Sequence, residues 1–190
     1  MSTRQGSTQG LNVAIGGPQG VGKSTVLRML ASGRPDFETI SVGDQFPADF
    51  RALSDVERAL VRHEASDRLS TRLRANQDRV LLVDLHYLDL RETVPRIQRS
   101  DILDLFDLHV LLSLPANVLL ARRTSDPSRE DRSVSIVDAE RDLAAHLRYF
   151  RDRAINGQES LVLDCQKGPE EVAEELQRHI DAGLTRSLHR

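Results

Sequence analysis

Cysteine, lysine and aromatic residues are scarce in this sequence, and each scarcity excludes a class of protein. The one cysteine, Cys165, excludes an internal disulfide and is typical of a reducing cytoplasm. No stretch approaches the roughly 18 apolar residues of a membrane span, and the polar segment 1–10 lacks a signal-peptide core. Aromatic residues make up 4% of the chain and Trp is absent, so no stacking platform for single-stranded nucleic acid is indicated. We therefore expect a cytoplasmic protein that binds neither membrane nor nucleic acid.

Lysine is the rarer cation, since all but Lys23 and Lys167 of the 26 Lys and Arg residues are Arg. The 29 acidic residues bring the net charge to −3, so no general basic surface for nucleic acid is indicated. A chain of 190 residues is long enough for one domain with a sizeable core. We expect a disordered lead at 1–10, one domain over 11–182 and a frayed tail at 183–190.

One of the two lysines stands in a phosphate-binding motif. An apolar run at 11–15 is typical of a short buried strand, a glycine-rich turn follows at 16–22, and apolar residues then recur at helical spacing. The residues that match the P-loop pattern G-x-x-x-x-G-K-[ST] are Gly17, Gly22, Lys23 and Ser24. Because the pattern occurs between a strand and a helix, it favours a P-loop over a chance glycine-rich turn.

A loop of this kind is suited to bind ATP. Glycines let successive N–H groups point inward with no Cβ in the way, and the following helix adds unpaired N–H groups and the positive end of its dipole. Lys23 can reach the β and γ phosphates, and the Ser24 hydroxyl can ligate the Mg²⁺ that accompanies ATP. The residues expected to bind ATP are Gly17, Gly20, Val21, Gly22, Lys23, Ser24 and Thr25.

Short apolar strands alternate with helices along the whole chain. The expected strands are 11–15, 39–42, 80–84, 108–112 and 161–163, and the expected later helices are 54–75, 115–122, 134–153 and 169–182. A capping box at Ser54 and Glu57 marks the start of the longest helix, whereas 85–100 is expected to be irregular or partly helical. This order predicts an α/β, three-layer P-loop fold with a five-stranded parallel sheet and helices on both faces.

Polar residues and a glycine lie at or just after the strand ends, where ligands of parallel sheets bind. They are Gly16, Asp44, Asp84, Ser113 and Asp164. Asp84 closes an apolar run as a Walker B carboxylate does, so we expect it to hold Mg²⁺, usually through a water.

The region at about 44–76 is the natural place for a phosphate acceptor. We expect Asp44, Arg58 and His86 to bind it, with Arg58 gripping an acceptor phosphate. Alternatively, Arg58 is a solvated helix arginine and His86 is a structural histidine. A phosphate acceptor needs no general base because its oxygen is already anionic; for a hydroxyl acceptor, Asp44 would be the candidate base.

A charged segment without periodicity, at about 122–133, is expected to form a lid. Its arginines are Arg122, Arg123, Arg129 and Arg132. Phosphoryl transfer develops charge on the transferred group, and mobile arginines can close over it and exclude water. We expect catalytic roles for Arg122 and Arg129, together with Lys23; the alternative is a solvated loop in an Arg-rich chain.

These elements together resemble the archaeal-type adenylate kinases, nucleoside monophosphate kinases of the P-loop class. The resemblance covers about residues 11–182. The residues that carry it are Gly-Gly-Pro-Gln-Gly-Val-Gly-Lys-Ser-Thr-Val at 16–26, Val-Gly-Asp44, Leu-Val-Asp84-Leu-His86, Arg122 with Asp126 and Arg129, and Leu-Asp-Cys-Gln-Lys-Gly-Pro169.

The resemblance implies a donor site and an acceptor site on one domain. It implies ATP and Mg²⁺ on the P-loop, a nucleoside monophosphate such as AMP near Asp44, Arg58 and His86, and a lid at 122–132. It also implies that the turn at 164–168 lies beside the adenine and contacts it through backbone groups.

Two other functions stay open at this point. The protein could be a kinase of another small acceptor in a dedicated pathway, which fold alone does not separate from a nucleotide kinase. It could also be a nucleotide-dependent switch or weak ATPase that binds a protein partner. Arginines supplied within the chain favour phosphoryl transfer over a switch.

Overall fold

The computed structural model describes residues 10–89, 96–97, 100–125, 135–155 and 159–187. The strands are β1 (Leu11–Gly16), β2 (Phe37–Ser41), β3 (Val80–Asp84), β4 (Leu88–Asp89), β5 (Arg96–Ile97), β6 (Leu108–Ser113) and β7 (Ser160–Asp164). The helices are α1 (Lys23–Ala31), α2 (Asp55–Arg74), α3 (Ser100–Leu103), α4 (Ala116–Thr124), α5 (Ile136–Ile155) and α6 (Pro169–Ser187). Short 3-10 turns cover Gly43–Gln45, Phe50–Ala52 and Cys165–Lys167.

Five strands form one parallel sheet in the order β2-β3-β1-β6-β7. Side chains of the central strand β1 alternate between its faces: Val13 and Ile15 pack with α1 and α6, and Ala14 packs on the side of α2 and α3. A strand covered on both faces carries apolar residues at successive positions, which is the pattern seen at 13–15. The three-layer α/β P-loop fold predicted from the alternation of strands and helices is confirmed.

One helix begins where the sequence pattern predicts, and another ends later than the pattern predicts. At the start of α2, the Ser54 hydroxyl accepts from the Glu57 N–H, and the Glu57 carboxylate accepts from the Ser54 N–H, which is the expected capping box. The last helix, in contrast, continues to Ser187, five residues beyond the expected end at 182. Gly183 is therefore an interior residue of α6, beside the side chain of Leu11.

The region after β3 holds more regular structure than the sequence indicated. Strands β4 and β5 form a small antiparallel pair in which Leu88 is opposite Ile97, and α3 follows after a short gap. Two-residue strands are too short to show a period, so the pattern at 85–100 looked irregular. No helix in the described ranges is long and apolar enough to cross a membrane.

Candidate functional site

The parallel register gathers the strand ends at one edge of the sheet. Asp84 at the end of β3 pairs with Ile15 on one side and with Ser41 on the other, while Ser113 pairs with Asp164. The chain leaves β1 at this edge and forms the glycine-rich segment 16–22, which we call the phosphate loop. The sequence predicts that these residues lie at one edge of the sheet, and the observed register brings them together there.

The glycines of the phosphate loop are required by its shape. Gly17, Gly20 and Gly22 have φ angles of 149°, 88° and 109°, a region that side chains rarely adopt. A Cβ on Gly17 would also lie 2.4 Å from the Leu112 carbonyl oxygen of β6. The loop therefore approaches the neighbouring strand at backbone distance, and only glycine permits that approach.

Helix α1 begins directly after the loop and carries the two side chains expected at the phosphates. Gly22 is the N-cap in a left-handed conformation, so the first N–H groups of the helix face the loop side without a side-chain cap. Lys23 is 8% exposed, and its Nζ donates to the Gly17 carbonyl at 3.1 Å. Ser24, in the same turn, is exposed to solvent. A buried lysine and an exposed serine thus occupy successive positions at the start of the helix.

Two successive arginines of α4 bind the phosphate loop through its carbonyl groups. Arg122 Nη1 donates to the Val21 carbonyl at 2.9 Å, and Arg123 Nε donates to the Gln19 carbonyl at 2.9 Å. The catalytic role expected for Arg122 stays a prediction: its guanidinium lies beside Gly22, with Nη1 3.4 Å from where a Cβ would stand. Arg123 is one of the four arginines of the expected lid, and the sequence predicts no separate role for it.

Arg123 continues into a buried polar chain that sequence reasoning missed. Its Nη2 lies 2.5 Å from Asp142 Oδ2 on α5, and Asp142 Oδ1 lies 3.0 Å from His146 Nδ1. Burial alone would raise the pKa of Asp142, but hydrogen bonds and charge from His146 and Arg123 outweigh it and lower the pKa. The one indication in the sequence was an Asp and a His four residues apart, which also suits an exposed helix face.

A cavity of about 230 Å³ adjoins the phosphate loop. Its lining residues are Val21, Gly22, Thr25, Val26, Arg122, Cys165 and Pro169. Cys165 is 4% exposed, and burial raises the pKa of its thiol to about 11. The adjoining turn is closed by Asp164, whose carboxylate accepts from the backbone N–H of Gln166 at 2.9 Å.

The expected acceptor residues lie after β2, in α2 and after β3. Asp44 is exposed in the 3-10 turn that follows β2, and His86 is exposed just past β3. Arg58 forms an ion pair with Asp55 one turn earlier on α2, and the carboxylate is almost fully exposed. The structure therefore leaves all three near or at the surface.

An aromatic pair in the same region was not singled out from the sequence. Phe46 and Phe50 stack with their ring centroids 4.5 Å apart, and the Arg62 guanidinium lies over the Phe50 ring at 5.1 Å. The two residues lie between the expected strand at 39–42 and the expected helix at 54–75, so their spacing of four did not indicate a helix.

Part of the expected lid lies outside the described residues. Of the segment 122–133, the structure describes 122–125, which ends α4. Asp126, Arg129 and Arg132 lie outside the described residues, so the expected catalytic role of Arg129 stays a prediction.

The donor atoms at the site suit a magnesium ion held mainly by phosphate. Across the described ranges, no group of three or more His, Cys, Asp or Glu side chains could hold a metal by itself. Ser24 and Asp84 instead offer one hydroxyl and one half-buried carboxylate, which are the hard oxygen ligands that Mg²⁺ prefers. The residues present therefore fit a Mg²⁺ that arrives with a nucleotide and keeps most of its ligands from phosphate and water.

Comparison with known proteins supports the fold. No protein-family model matches the chain, and no curated protein matches it. Among solved structures, the chain is similar to a thymidylate kinase from Candida albicans, with a TM-score of 0.65 and 15% identity over 96% of this chain and 94% of that one. A sugar kinase from Janibacter sp. HTCC2649 has a TM-score of 0.59 and 18% identity over 90% and 94%. A shikimate kinase from Acinetobacter baumannii, solved with shikimate, has a TM-score of 0.58 and 20% identity over 90% and 93%.

These likenesses define the class of fold. The chain has the three-layer α/β architecture shared by these kinases, with a P-loop between its central strand and first helix. At identities of 15–20% the similarity establishes the fold alone. The reaction and the acceptor depend on the residues of the site and not on the fold.

Proposed function

We propose that this protein is an ATP-dependent nucleoside monophosphate kinase, similar to adenylate kinase, that transfers the γ-phosphate of ATP to AMP or a related monophosphate. The observation that carries the proposal is the continuity of the phosphate loop with the 230 Å³ cavity, which share Val21 and Gly22. The loop suits a charged phosphate chain and the adjoining cavity suits a flat base, which are the two parts of a nucleoside triphosphate. The phosphates would lie on the loop and the adenine in the cavity.

The donor side can be assigned group by group. The ammonium of Lys23 is already held at the loop and would move from the Gly17 carbonyl to the β and γ phosphates, where it offsets their charge. Mg²⁺ would be held by the Ser24 hydroxyl and, through water, by Asp84, and it supplies further charge neutralisation on the phosphates. Arg122 would contact the donor nucleotide, since its guanidinium lines the cavity beside the loop.

The base would lie against the turn at 164–168. Cys165 and Pro169 line the cavity together with Val21 and Gly22 of the phosphate loop. Backbone groups of this turn would contact the adenine, which is consistent with the exposed side chains of Gln166 and Lys167. We therefore expect substitutions of these two side chains to have little effect on ATP binding.

The acceptor phosphate would be held by Arg58, with Asp44 and His86 near the acceptor nucleoside. Arg58 is now paired with Asp55 on the surface of α2. Exposed pairs of this kind are worth about 0–1 kcal/mol, so a doubly charged phosphate could take the guanidinium at small cost. The attacking oxygen of a monophosphate is already anionic, and the reaction then requires no general base.

A second candidate is a kinase of another small acceptor. It is favoured by the range of kinases that share this fold, which are named for sugar, thymidylate and shikimate substrates. With a hydroxyl acceptor, exposed Asp44 would be the candidate base. The donor side would be unchanged.

An assay of ADP formation distinguishes these functions. The protein is given ATP and Mg²⁺ with AMP, GMP, CMP, UMP or dTMP, with shikimate, with a set of sugars, or with no acceptor. Fast turnover with one monophosphate and little without it supports the proposal and names the acceptor. Turnover with a non-nucleotide alone supports the second candidate. A slow rate that no acceptor changes rejects both kinases and leaves a nucleotide-dependent switch or weak ATPase.

A further inference from the structure

The ion pair of Arg123 and Asp142 adjoins the phosphate loop through the bond of Arg123 to the Gln19 carbonyl. Arg123 is 6% exposed, and its guanidinium spans two partners on different parts of the chain. Its Nε donates to the Gln19 carbonyl at 2.9 Å, and its Nη2 lies 2.5 Å from the Asp142 carboxylate of α5. One side chain of α4 thus joins the loop to α5.

The direction of the Gln19 carbonyl determines the direction of a loop N–H. A trans peptide is planar, with its C=O and N–H pointing to opposite sides. The Gln19 carbonyl accepts a hydrogen bond from Arg123 Nε and therefore points toward Arg123. The N–H of Gly20, which belongs to the same peptide, consequently points away from Arg123. Arg122 likewise bonds the Val21 carbonyl, so the N–H of Gly22, which belongs to the same peptide, points away from Arg122. Gly20 and Gly22 have positive φ, which allows both peptides to take this direction.

We propose that Arg123 is a positioning residue for nucleotide binding, which orients the Gly20 N–H toward the phosphates and is itself fixed by Asp142. The inference rests on the proposed binding of ATP at the loop. A lysine could not replace the arginine, because one ammonium cannot bridge two partners with the fixed fork of a guanidinium. His146 completes the arrangement by bonding Asp142 from its other side, at 3.0 Å.

A buried ion pair is by itself weak evidence of a role in stability. Removing two charges from water is costly, and apolar residues of similar volume are often at least as stabilising as a buried ion pair. The double substitution Arg123→Met with Asp142→Leu therefore separates the two roles. It keeps the volume filled, and His146 Nδ1 keeps the Asp142 backbone carbonyl, which lies 2.8 Å away. It removes the ion pair, the contact of the Asp142 carboxylate with His146 and the bond to Gln19, and of these only the bond to Gln19 reaches the phosphate loop.

The test compares folding stability with ADP affinity. Urea unfolding and calorimetric titration with ADP and Mg²⁺ are measured on the wild type, the Met–Leu double variant and Arg123→Lys. Arg141→Met is the matched control, since Arg141 lies on α5 with Asp142 and forms an ion pair with Asp138 at the surface of that helix. We expect the double variant to unfold near the wild-type midpoint and to bind ADP at least about tenfold more weakly, the loss for one charge-assisted hydrogen bond.

The possible outcomes separate the positioning role of Arg123 from the proposed binding of nucleotide. Arg123→Lys should fold and also bind ADP several-fold more weakly, while the Arg141→Met control binds it normally. Wild-type ADP affinity in a folded double variant, or in Arg123→Lys if the double variant does not fold, overturns the positioning role and leaves nucleotide binding intact. Failure of the wild type itself to bind ADP and ATP overturns the proposed function instead.

Discussion

Tyr87 packs its ring directly against Gly16, the residue at which β1 becomes the phosphate loop. A Cβ on Gly16 would lie 2.2 Å from Tyr87 Cδ2. The ring is fully buried, and its hydroxyl donates to the Ala14 carbonyl of β1 at 3.0 Å. Tyr87, which directly follows His86, therefore ties the chain just past β3 to the start of the loop.

Substitution of Gly16 by alanine should destabilise the protein because the added methyl group has no space. The loss should be roughly 1–3 kcal/mol in free energy of unfolding, as for other overpacked cores, measured by urea denaturation. Gly43→Ala is the control, since the nearest atom to its Cβ would be the Ser41 hydroxyl at 3.7 Å. Equal stability of the two variants would show that Tyr87 does not restrict position 16.

The length of α6 can be tested at Gly183. Because the helix continues to Ser187, Gly183 is in its interior, and a Cβ there would contact Leu11 at an ordinary 3.7 Å. Gly183→Ala should raise the free energy of unfolding by about 0.5–1 kcal/mol, and Tm by a few degrees. A helix that ended at 182 would give no such gain, so an unchanged Tm would contradict the longer helix.

The Lys23 ammonium bonds the phosphate loop from the first turn of α1, and its loss should affect turnover far more than folding. We expect Lys23→Ala to lower the rate of ADP formation by orders of magnitude, because no other group would replace its charge at the β and γ phosphates. Arg28→Ala provides the control, as Arg28 is an exposed cation on the same helix. Full activity in Lys23→Ala would reject the assignment of the loop as the donor site.

The fold was predictable because its determinants are local in the chain. The capping box at Ser54 and Glu57 spans four residues, and the phosphate loop shows its own motif between a strand and a helix. Successive apolar residues at 13–15 and 80–83 indicated central strands buried on both faces. Each of these features is complete within a window of a few residues, where sequence patterns carry most information.

The interactions behind the loop were not predictable in this way. Arg123 and Asp142 are 19 residues apart and lie on two helices, so their pairing appears only when α4 and α5 pack. In a chain with 26 cations, almost all Arg, nothing in the sequence marks Arg123 among its neighbours. The contact of Tyr87 with Gly16 likewise depends on the neighbouring positions of β1 and β3 in the sheet.

The single cysteine should react slowly while the protein is folded. Burial raises the pKa of the Cys165 thiol from about 9 to about 11, so at pH 8 its thiolate fraction falls roughly a hundredfold. We expect iodoacetamide to modify the native protein at least about a hundredfold more slowly than the protein in urea, measured by mass. ADP should slow the reaction further, because Cys165 lines the cavity. Equal rates in the native and urea-treated protein would show that the thiol is accessible.

The same shift predicts a loss of stability in alkali. A thiol whose pKa is raised on folding contributes fully below its unfolded pKa, and this contribution decreases as pH rises through 9 toward 11. Cys165→Ser would not carry this dependence. We expect the free energy of unfolding of the wild type to fall more steeply than that of Cys165→Ser between pH 8.5 and about 10.5. Parallel curves would contradict the burial of the thiol.

Acid should act on the protein through Asp142. Burial alone would raise the pKa of this carboxyl, but the hydrogen bonds and charges of His146 and Arg123 lower it below the ordinary value near 4. A carboxyl with a lowered pKa stabilises the folded state above its unfolded pKa, and that contribution is lost as pH falls through the lower, folded value. We expect unfolding in urea to show a decline in stability below about pH 4.

The variant Asp142→Asn isolates this contribution. At pH 7 it should lose about 3 kcal/mol in free energy of unfolding, because it leaves the buried Arg123 without its counter-charge, and it should then decline less steeply in acid. Asp36→Asn serves as the control: the pKa of Asp36 is also lowered, chiefly by its hydrogen bond with Arg34, but that pair is about a third to a half exposed. Solvent screening leaves such a pair worth little, so Asp36→Asn should follow the wild-type curve. If Asp142→Asn followed it too, the charge of Asp142 would not stabilise the fold, and Arg123 would be held at the phosphate loop by its hydrogen bond to Gln19 and by packing.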